Sequence, residues 1–376
     1  MQQETKKIKI FLMGGHLTPA LAVIEEIRSH YPAWELFFVG RKWAMEGDRQ
    51  PSEEYRIIRR LKLPFLPLTT GRLQRSFSRY TLTSLGKIPG GLVQADRYCR
   101  QFQPDLIVSF GGYLAVPIVL SAWLRRIPIL THEQTRVTGL ANRLISLLAN
   151  KVCLSYRDSG METAKAKIVV TGLPIREVIF RPPKKIVGNF QENLPLLYIT
   201  GGITGAASLN EIIYGAARKL LNEYLIIHQV GRQNFARGKN YRQQIEPRLR
   251  KRYLVLPYLD GASHAEVLQR AAIVIGRAGA NLVGELAAVG KVAILVPLLW
   301  SGGGEQLANA NWLAGAGSAV VLAQKNLTSD QLVKAVRQIF SGYNELAKSA
   351  AKLAQVFPRD GAKRLVEEMA ALCGST

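Results

Sequence analysis

Turns that follow apolar, strand-like runs carry the side chains of this sequence that could do chemistry. The first turn joins "IKIFLM" to "PALAVIEEIRSH" and contains Gly14, Gly15 and His16. Glycines let backbone amides approach a ligand, and the start of a helix favours an anion. The same residues also suit a plain tight turn in which His16 caps the helix. This stretch alone leaves both interpretations open.

Two further turns in the first half present groups suited to binding or proton transfer. "SFGGYLAVP" has another pair of glycines, followed by Tyr113. "THEQTRVTGLANR" places Glu133, Gln134 and Thr135 at the end of a strand-like run. A carboxylate beside a histidine in such a loop can take a proton from a hydroxyl group. The alternative for Glu133 is a helix cap with an ion pair to Arg136.

The second half has a glycine turn typical of phosphate binding. In "YITGGITGAASLN", Gly201, Gly202 and Gly205 stand between a strand-like run and a helix-like run. Because the spacing is GGxxG rather than GxGxxG, a nicotinamide-dependent dehydrogenase is disfavoured. Pyrophosphate at the start of the helix fits this spacing.

Two later segments suit the sugars of a nucleotide. "IGRAGANLVGELAAVG" places Glu285 in a helix that follows a strand-like run, where a carboxylate can bind both ribose hydroxyls. "WSGGGEQLANANWL" places Gln306 and Asn309 on one helical face, which suits sugar hydroxyls or a simple polar surface. The sequence has no D-x-D or His/Asp metal cluster, so helix starts and arginines would meet the phosphate charge. This arrangement indicates sugar transfer from a nucleotide diphosphate without a metal or a cofactor.

Alternating strands and helices must hold these turns, and the sequence shows that alternation twice. Strand-like and helix-like runs follow one another on both sides of "FRPPKKIVGNFQENLP", which predicts an α/β fold with two Rossmann-like parallel-sheet domains. Ligands of such sheets bind beyond the carboxyl ends of the strands. We predict an N-terminal domain over residues 1–170 and a C-terminal domain over 171–357. The last helical segment, residues 358–376, can pack on either half.

Composition and charge limit the class of protein. With 48% hydrophobic and 20% charged residues, the 376-residue chain has the composition of a folded globular protein rather than a disordered or fibrous one. A formal net charge of +23 predicts an anionic neighbour. The three cysteines lack a metal-ligand pattern, and no apolar run approaches about 18 residues. We therefore expect a protein that stays inside the cell, at most lying on a membrane.

One segment of the first half is basic and apolar at the same time. No Asp or Glu occurs from Tyr55 to Ala95, where cations alternate with leucines and aromatic residues. Such a mixture suits contact with an anionic membrane surface, and the alternative is a basic solvated loop over ordinary core residues. Nucleic acid is disfavoured because no nucleic-acid motif accompanies the charge. The predicted membrane patch contains Phe65, Arg72, Arg75, Phe77 and Arg79.

Eight segments, in this order along the chain, resemble the MurG-type N-acetylglucosaminyltransferases of glycosyltransferase family 28. They are "GGHLTPALAV", "SFGGYLAVP", "HEQTRVTGLANR", "TGLPIREVI", "GGITGAASLN", "IIHQVGR", "GRAGANLVGELAAVGKVAILVP" and "GEQLANA". The resemblance covers most of the chain. It implies the GT-B architecture, in which two Rossmann-like domains face each other across a cleft and the C-terminal helix crosses back to the N-terminal domain.

The resemblance also implies a reaction. N-acetylglucosamine (GlcNAc) would move from UDP-GlcNAc to the C4 hydroxyl of N-acetylmuramic acid (MurNAc) in undecaprenyl-linked lipid I. The products would be lipid II and UDP, with inversion at the anomeric carbon. Such an enzyme would serve peptidoglycan synthesis, and hence cell shape and division, as a peripheral protein on the cytoplasmic face of the membrane. The basic segment 63–88 lies where the family's membrane-associating patch is expected.

Carried onto this chain, the family motifs imply a role for each site residue. His16 or Glu133 would be the general base. Phosphates would lie on the glycine turn after the first strand of the second half, uracil on the main chain near Leu259, ribose on Glu285 and GlcNAc on the amide pair. The acceptor side would be lined by Gly14, Gly15, Tyr113, Gln134 and Thr135. The donor would be bound by Arg176, Gly201, Gly202, Thr204, Gly205, Asn210, Tyr258, Leu259, Arg277, Ala278, Gly279, Glu285, Gln306 and Asn309.

The motifs depart from the family pattern, which leaves alternatives open. "FLM" replaces the first glycine pair and the threonine of GGTGGH, and the phosphate turn reads GGITGA instead of GGSQGA. Each lost hydrogen bond in a dry site could cost about 1 kcal/mol. One alternative is another GT-B enzyme, such as a glycolipid glycosyltransferase or a nucleotide-sugar epimerase. The other is a weakly active or non-catalytic relative that binds nucleotide sugar. Further departures are Thr135, Leu173, Gly284, Gly304 and Glu305.

Overall fold

The computed structural model describes residues 7–43, 50–71, 86–182, 186–202, 205–298 and 302–374. The chain divides into two compact units, Met1–Arg176 with Arg359–Thr376 and Glu177–Pro358. Within the described ranges, the first unit holds a seven-stranded sheet and the second a six-stranded sheet. Five of the predicted site and membrane residues lie outside the described residues: Arg72, Arg75, Phe77, Arg79 and Thr204.

The strands and helices of both units alternate along the chain. The strands of the first sheet are β1 (Lys9–Met13), β2 (Glu35–Gly40), β3 (Phe65–Pro67), β4 (Leu106–Ser109), β5 (Ile129–Glu133), β6 (Lys151–Leu154) and β7 (Ile168–Val170). Those of the second sheet are β8 (Leu196–Thr200), β9 (Leu225–Gln229), β10 (Tyr253–Leu256), β11 (Ile273–Gly276), β12 (Val292–Leu295) and β13 (Ala319–Val321). The helices are α1 (Leu17–His30), α2 (Glu53–Arg60), α3 (Ile88–Phe102), α4 (Ala115–Leu124), α5 (Leu140–Leu148), α6 (Ala207–Leu220), α7 (Phe235–Gln243), α8 (Pro247–Arg250), α9 (Gly261–Arg270), α10 (Ala280–Val289), α11 (Glu305–Gly315), α12 (Ser329–Ser341), α13 (Tyr343–Val356) and α14 (Gly361–Gly374).

The strand order of each sheet has one switch point, where the chain crosses from one side of its first strand to the other. The turns that follow the two strands at this point become neighbours. The first sheet has the order β3-β2-β1-β4-β5-β6-β7 and the second β10-β9-β8-β11-β12-β13, with parallel pairing throughout both ladders. The chain winds outward from β1, then returns to β4 on the other side. It does the same at β8 and β11. Ligands of open α/β sheets bind beyond the carboxyl ends at such switch points.

The strands are apolar on both faces because helices cover both faces of each sheet. In β1, Ile10 and Leu12 pack on the side of α1 and α14, while Phe11 and Met13 pack on the side of α3 and α4. This alternation of side chains within a nearly continuous apolar run is typical of buried parallel strands. The predicted α/β fold with two parallel-sheet units is confirmed.

Two strands of three residues, β3 and β13, were not predicted from the sequence, and β3 contains Phe65. Phe65 lies in β3, where its ring stacks on Phe38 at a centroid distance of 5.9 Å and meets Tyr55 edge-on at 5.0 Å. Leu66 and Leu68 nearby are 9% and 1% exposed. Phe65 is thus partly buried in a short strand, and its place in the membrane patch stays a prediction. None of the described helices has the length and apolar character needed to cross a bilayer.

The last helix belongs to the first unit. Leu365, Val366 and Met369 of α14 are buried in the same cluster as Ile10 and Leu12 of β1. Gly361 begins this helix where the chain passes so close to the carbonyl of Leu173 that a Cβ there would overlap it. The core of the first unit is therefore built from both ends of the chain.

Candidate functional site

Two glycine turns of the first unit touch each other beyond β1 and β4. A Cβ placed on Gly15 would lie 2.8 Å from Cα of Gly112 and 2.9 Å from the carbonyl oxygen of Gly111. Gly111 and Gly112 also have φ angles of 79° and 85°, which side chains disfavour. The glycines are therefore required by the close approach of two backbones. This contact brings the first and second predicted turns together at the switch point.

His16 occupies the N-cap position of α1, but its imidazole ring does not make the capping hydrogen bond. The backbone is extended at φ −135° and ψ 107°, and within this described turn the side chain makes no capping hydrogen bond. The ring is half-buried. Burial lowers the pKa of His16 below 6.5, while the nearby Glu133 raises it. The imidazole is thus neutral near pH 7 and able to accept a proton.

Glu133 is buried at the end of β5, and its two oxygens face protein donors. Oε1 accepts from the backbone N–H of Thr135 at 3.0 Å and lies 2.9 Å from its hydroxyl. Oε2 accepts from N–H of Gly139 at 3.2 Å and from Nδ2 of Asn142 at 2.9 Å. This carboxylate ties the loop after β5 to the start of α5. Asn142, within "TRVTGLANR", was missed because only the folded chain brings it to Glu133.

Two buried acceptors next to Glu133 have no hydrogen-bond partner among the residues that the structure describes. They are Nδ1 of His132 and Oε1 of Gln134. Nε2 of His132 lies 3.3 Å from the carbonyl oxygen of Gly172, so Nε2 carries the proton and Nδ1 keeps a lone pair. Burial lowers the pKa of His132 to about 4. An unmet buried acceptor costs about 1–3 kcal/mol, and a ligand hydroxyl would satisfy it.

Three other residues of the first unit have partners that the sequence did not reveal. Tyr113 is half-buried and packs on the apolar cluster below α4. Arg136, the alternative partner of Glu133, donates to both oxygens of Asp158 at 3.0 and 2.7 Å. Arg176, predicted to bind phosphate, belongs to the first unit, and its Nε donates to Oε1 of Glu25 at 2.8 Å.

A carboxyl group that sequence reasoning missed lies beside the first glycine turn. Oε2 of Glu54 accepts from the backbone N–H of Arg41 at 3.0 Å, just beyond β2. A Cβ placed on Gly14 would lie 3.3 Å from Oε1 of Glu54. Burial raises the pKa of Glu54 to about 7, although the Arg41 N–H and charge lower it. Its only sequence signal is its place in the first turn of α2, after the capping residue Ser52.

Replacing Glu54 by Gln should stabilise the protein above neutral pH. The pKa of Glu54 is about 7 in the fold against an ordinary 4.5. Its contribution is therefore fully present below about pH 4.5 and is lost as the pH rises through about 7. The wild type should lose up to about 3 kcal/mol over this window, and Glu54→Gln should not. Denaturant unfolding at pH 5 and pH 8 measures the difference. Glu53→Gln, in the same helical turn, is the control, and equal pH slopes for Glu54→Gln and wild type would contradict the prediction.

The phosphate-type turn of the second unit also requires its glycines. Gly202 and Gly205 have φ angles of 82° and 80°. A Cβ on Gly205 would lie 2.9 Å from Cα of Gly231 and even closer to the carbonyl oxygen of Val230. The N–H of Gly202 donates to the hydroxyl of Thr200 at 3.1 Å. The turn lies directly before α6, whose first amides favour an anion.

Gln229, at the end of β9, joins two parts of the predicted donor site. Its Nε2 donates to the carbonyl of Gly202 at 3.0 Å, and its Oε1 accepts from N–H of Leu259 at 3.0 Å. The loop predicted to read uracil is thus fastened to the phosphate turn. Tyr258 in that loop lies under the guanidinium of Arg232, 5.5 Å from the ring centroid. "IIHQVGR" contains Gln229, but its spacing gave no sign of this link.

Asn210, predicted to belong to the donor site, makes structural hydrogen bonds with both ends of its amide. It is 1% exposed. Its Nδ2 donates to the carbonyl of Val230 at 3.0 Å, and its Oδ1 accepts from Nε2 of His228 at 3.0 Å. Nδ1 of His228 in turn accepts from the hydroxyl of Tyr253 at 2.9 Å. Burial lowers the pKa of His228 to about 3, which keeps this chain of bonds neutral.

Arg277 brings a buried cation to the start of α6. It is 8% exposed. Its guanidinium donates to the carbonyl of Val296 at 2.9 Å, to Oε1 of Gln324 at 2.6 Å and to the hydroxyl of Ser208 at 2.8 Å. These partners are neutral, and burial lowers the pKa of Arg277. Because buried charges are normally paired, this arrangement favours an anion near Ser208.

The predicted sugar residues surround the ends of β11 and β12. Nδ2 of Asn309 donates to the carbonyl of Ala278 at 3.2 Å, and Oε1 of Gln306 accepts from N–H of Leu298 at 3.0 Å. Each amide thus supports a loop backbone with one of its two ends. Gly279 is the N-cap of α10. In the described ranges, no group of three or more His, Cys, Asp or Glu side chains is placed to hold a metal ion.

Glu285 lies in α10, with a side chain that is 10% exposed. Its Oε2 is 2.9 Å from Nε2 of His264 in α9. Nδ1 of His264 is 2.9 Å from the hydroxyl of Tyr198 in β8. His264 and Tyr198 were missed because neither belongs to a glycine turn.

Comparison with known proteins supplies the family. Residues 13–154 match the glycosyltransferase family 28 N-terminal domain, and residues 196–365 match its C-terminal domain. A Legionella pneumophila protein named UDP-N-acetylglucosamine–N-acetylmuramyl-(pentapeptide) pyrophosphoryl-undecaprenol N-acetylglucosamine transferase is 33% identical over 339 residues, 89% of this chain and 88% of its own. A Treponema denticola protein with the same name is 30% identical, over 96% of this chain and 92% of its own. The crystal structure of Acinetobacter baumannii MurG aligns with a TM-score of 0.69 at 26% identity, covering 97% of this chain and 99% of that one.

The two domain matches fall on the two parallel-sheet units, and the glycine turns lie within the matched residues. The resemblance seen in the sequence motifs is thereby confirmed. The chain belongs to the MurG-type enzymes of glycosyltransferase family 28, and it is a hexosyltransferase with the GT-B fold.

Proposed function

We propose that this enzyme transfers GlcNAc from UDP-GlcNAc to the C4 hydroxyl of MurNAc in lipid I, without a metal and with inversion. The observation that carries the proposal is the match to transferases of that name over 89% of the chain, with a glycine turn at the switch point of each sheet. The first unit would bind the acceptor, and the second would bind UDP-GlcNAc. Lipid II and UDP would be the products.

The second unit offers complementary groups for each part of the donor. The glycine turn before α6 and the cation of Arg277 suit the two phosphates. The loop held by Gln229 suits uracil, and the carboxylate of Glu285 suits the ribose hydroxyls. Gln306 and Asn309, which flank the ends of β11 and β12, would bind the hydroxyls of GlcNAc.

In the first unit, His16 suits the general base and Glu133 a positioning role. Glu133 already accepts hydrogen bonds at both oxygens, so taking a proton would break the contacts that hold its loop. The ring of His16 is neutral and makes no capping bond in the described turn. His16 would take the proton of the C4 hydroxyl as that oxygen attacks the anomeric carbon. The bond from that carbon to the diphosphate breaks, and UDP carries away the electron pair.

The orphan acceptors beside Glu133 suit the hydroxyl groups of a sugar. Nδ1 of His132 and Oε1 of Gln134 are buried acceptors without a partner in the described part of the chain. A sugar hydroxyl would donate to each of them once the side chains that cover these two atoms move aside, because both atoms are buried from solvent. This chemistry favours a carbohydrate acceptor for the first unit.

The direct test is turnover with labelled UDP-GlcNAc and a lipid I analogue. We expect lipid II to form in equal amount to UDP, with and without a chelator. If UDP binds but no product forms, the chain is a binding protein. Product with another lipid acceptor would identify a different glycosyltransferase, and conversion of UDP-GlcNAc alone to its epimer would identify an epimerase.

We also propose that the enzyme lies on the cytoplasmic face of the cell membrane through its basic segment. The net charge of +23 favours anionic lipid, and salt should weaken binding. In co-sedimentation with vesicles containing phosphatidylglycerol, neutralising three arginines of the segment should reduce binding about tenfold or more, at about 1 kcal/mol per charge. These are Arg72, Arg75 and Arg79. The control removes the same charge from exposed lysines of the second unit, Lys325, Lys334 and Lys352, and equal loss in both variants would refute a specific patch.

A further inference from the structure

Tyr198, His264 and Glu285 form a line of hydrogen bonds beneath the predicted ribose site. The hydroxyl of Tyr198 lies 2.9 Å from Nδ1 of His264, and Nε2 of His264 lies 2.9 Å from Oε2 of Glu285. The Tyr198 side chain is fully buried, and the side chains of His264 and Glu285 are 18% and 10% exposed. The line runs from the interior of the second unit toward its surface.

The proton positions along this line follow from the groups themselves. Burial raises the pKa of Tyr198, so its hydroxyl keeps the proton and donates it to Nδ1 of His264. With Nδ1 of His264 accepting from Tyr198, Nε2 is the ring nitrogen that donates to Oε2 of Glu285. Oε2 of Glu285 is thereby held at a fixed position. Oε1 is left to face a ligand.

The line connects to the phosphate turn through β8. Thr200 projects on the same face of this strand as Tyr198, two residues earlier. The Thr200 hydroxyl accepts from N–H of Gly202 and from Nε2 of Gln229, at 3.1 and 3.3 Å. Neighbouring side chains on one face of β8 therefore support the phosphate turn and, through His264, Glu285.

We propose that His264 is a positioning residue that sets the Glu285 carboxylate for the ribose hydroxyls of the nucleotide and links it to the phosphate turn. The inference rests on the proposed function, because it assigns Glu285 to the ribose of UDP-GlcNAc. His264 itself does not touch the reacting atoms. It acts by fixing one carboxylate oxygen of Glu285. Less conformational entropy of this side chain is then lost when the other oxygen binds a diol.

A purely structural role for His264 makes a different prediction. Loss of packing in α9 would weaken the binding of all nucleotides equally. Loss of positioning would weaken the binding of only those nucleotides that have ribose hydroxyls. UDP and 2′,3′-dideoxy-UDP differ only in these hydroxyls. The ratio of their dissociation constants therefore reports on the carboxylate alone.

Calorimetric titration of both nucleotides tests the proposal. In the wild type we expect UDP to bind about 10- to 100-fold tighter than dideoxy-UDP, because hydrogen bonds to a charged group are lost. Glu285→Gln should lower this ratio, and His264→Phe should lower it to within about threefold of unity. His264→Gln, which keeps an amide donor, should restore part of it. Tyr198→Phe should give an intermediate ratio. Tyr343→Phe removes a tyrosine hydroxyl bound to the carbonyl of Ala272 and is the matched control.

Steady-state kinetics adds a second readout. His264→Phe should raise KM for UDP-GlcNAc about tenfold or more with kcat within about twofold of wild type, because ribose contacts bind ground state and transition state alike. The proposal is overturned if the nucleotide ratio in folded His264→Phe equals the wild-type ratio. If that variant does not fold, His264→Gln and Tyr198→Phe decide by the same ratio. If the wild type binds UDP and dideoxy-UDP equally, Glu285 does not bind the ribose hydroxyls. If the wild type does not bind UDP at all, the proposed function itself is refuted.

Discussion

His16→Ala should lower kcat for GlcNAc transfer by about 10²- to 10⁴-fold, the usual contribution of a positioned general base. The KM for UDP-GlcNAc should change little, because His16 lies in the first unit, whereas the predicted donor residues other than Arg176 lie in the second. The physical reason is the state of the ring, which is half-buried, neutral and not engaged as a cap in its described turn. Without it, the acceptor hydroxyl must lose its proton to water.

The pH dependence of the rate gives an independent check on His16. Burial holds the pKa of His16 below 6.5, so activity should fall only as the pH drops below that value and the base becomes protonated. This acid limb should vanish in His16→Ala. His30→Ala is the control, since His30 lies at the other end of α1 with a side chain that is 63% exposed. A loss of less than tenfold in His16→Ala, with the acid limb intact, would assign the base elsewhere.

Gly205→Ala should destabilise the second unit by roughly 2–5 kcal/mol and remove UDP binding. The φ angle of 80° costs a side chain about 1–2 kcal/mol. The new Cβ would also overlap the carbonyl of Val230, and overpacking against backbone adds about 1–3 kcal/mol. The unfolding midpoint should drop by about 10 °C for a unit of this size. Differential scanning calorimetry and UDP titration measure the two effects.

A series of glycine variants separates strain from overlap at this turn. Gly202 has the same kind of φ angle, 82°, but no atom of the described residues that could clash lies within 4 Å of its Cβ position. Gly202→Ala should therefore cost only about 1–2 kcal/mol. Gly315→Ala, at the end of α11 with nothing within 4 Å, is the control and should be neutral or slightly stabilising. If Gly202→Ala and Gly205→Ala prove equally stable, the close approach to Val230 is not what fixes Gly205.

The strands were predictable where a long apolar run ends in a turn. "KIFLM" and "LLYIT" are such runs, and both lie at the centre of a sheet, where apolar faces are largest. β3 and β13 have only three residues each, too few to show a period. β7 is equally short, but its apolar run ends directly in the turn "TG", whereas β3 and β13 have no such ending. Phe65 of β3 stacks on Phe38 in the fold.

The site was predictable where a local rule applies and not where distant residues meet. Glycines after a strand indicate a close backbone approach, and Gly15 and Gly205 both show one. Gln229 bonds to Leu259, 30 residues away, and no sequence period marks such a pair. Asn210 was assigned to the donor for its position in a motif, whereas its two amide ends bond to β9 and to the residue after it.

The return of α14 to the first unit affects how the protein is made. Residues 361–374 complete a core that also contains Ile10 and Leu12 of the first strand. A ribosome translates the whole second unit before it reaches them. The second unit can therefore fold while still tethered to the ribosome, whereas part of the apolar surface of the first stays uncovered until residues 361–374 have been translated. For the newborn chain, the domain translated first is the one completed last.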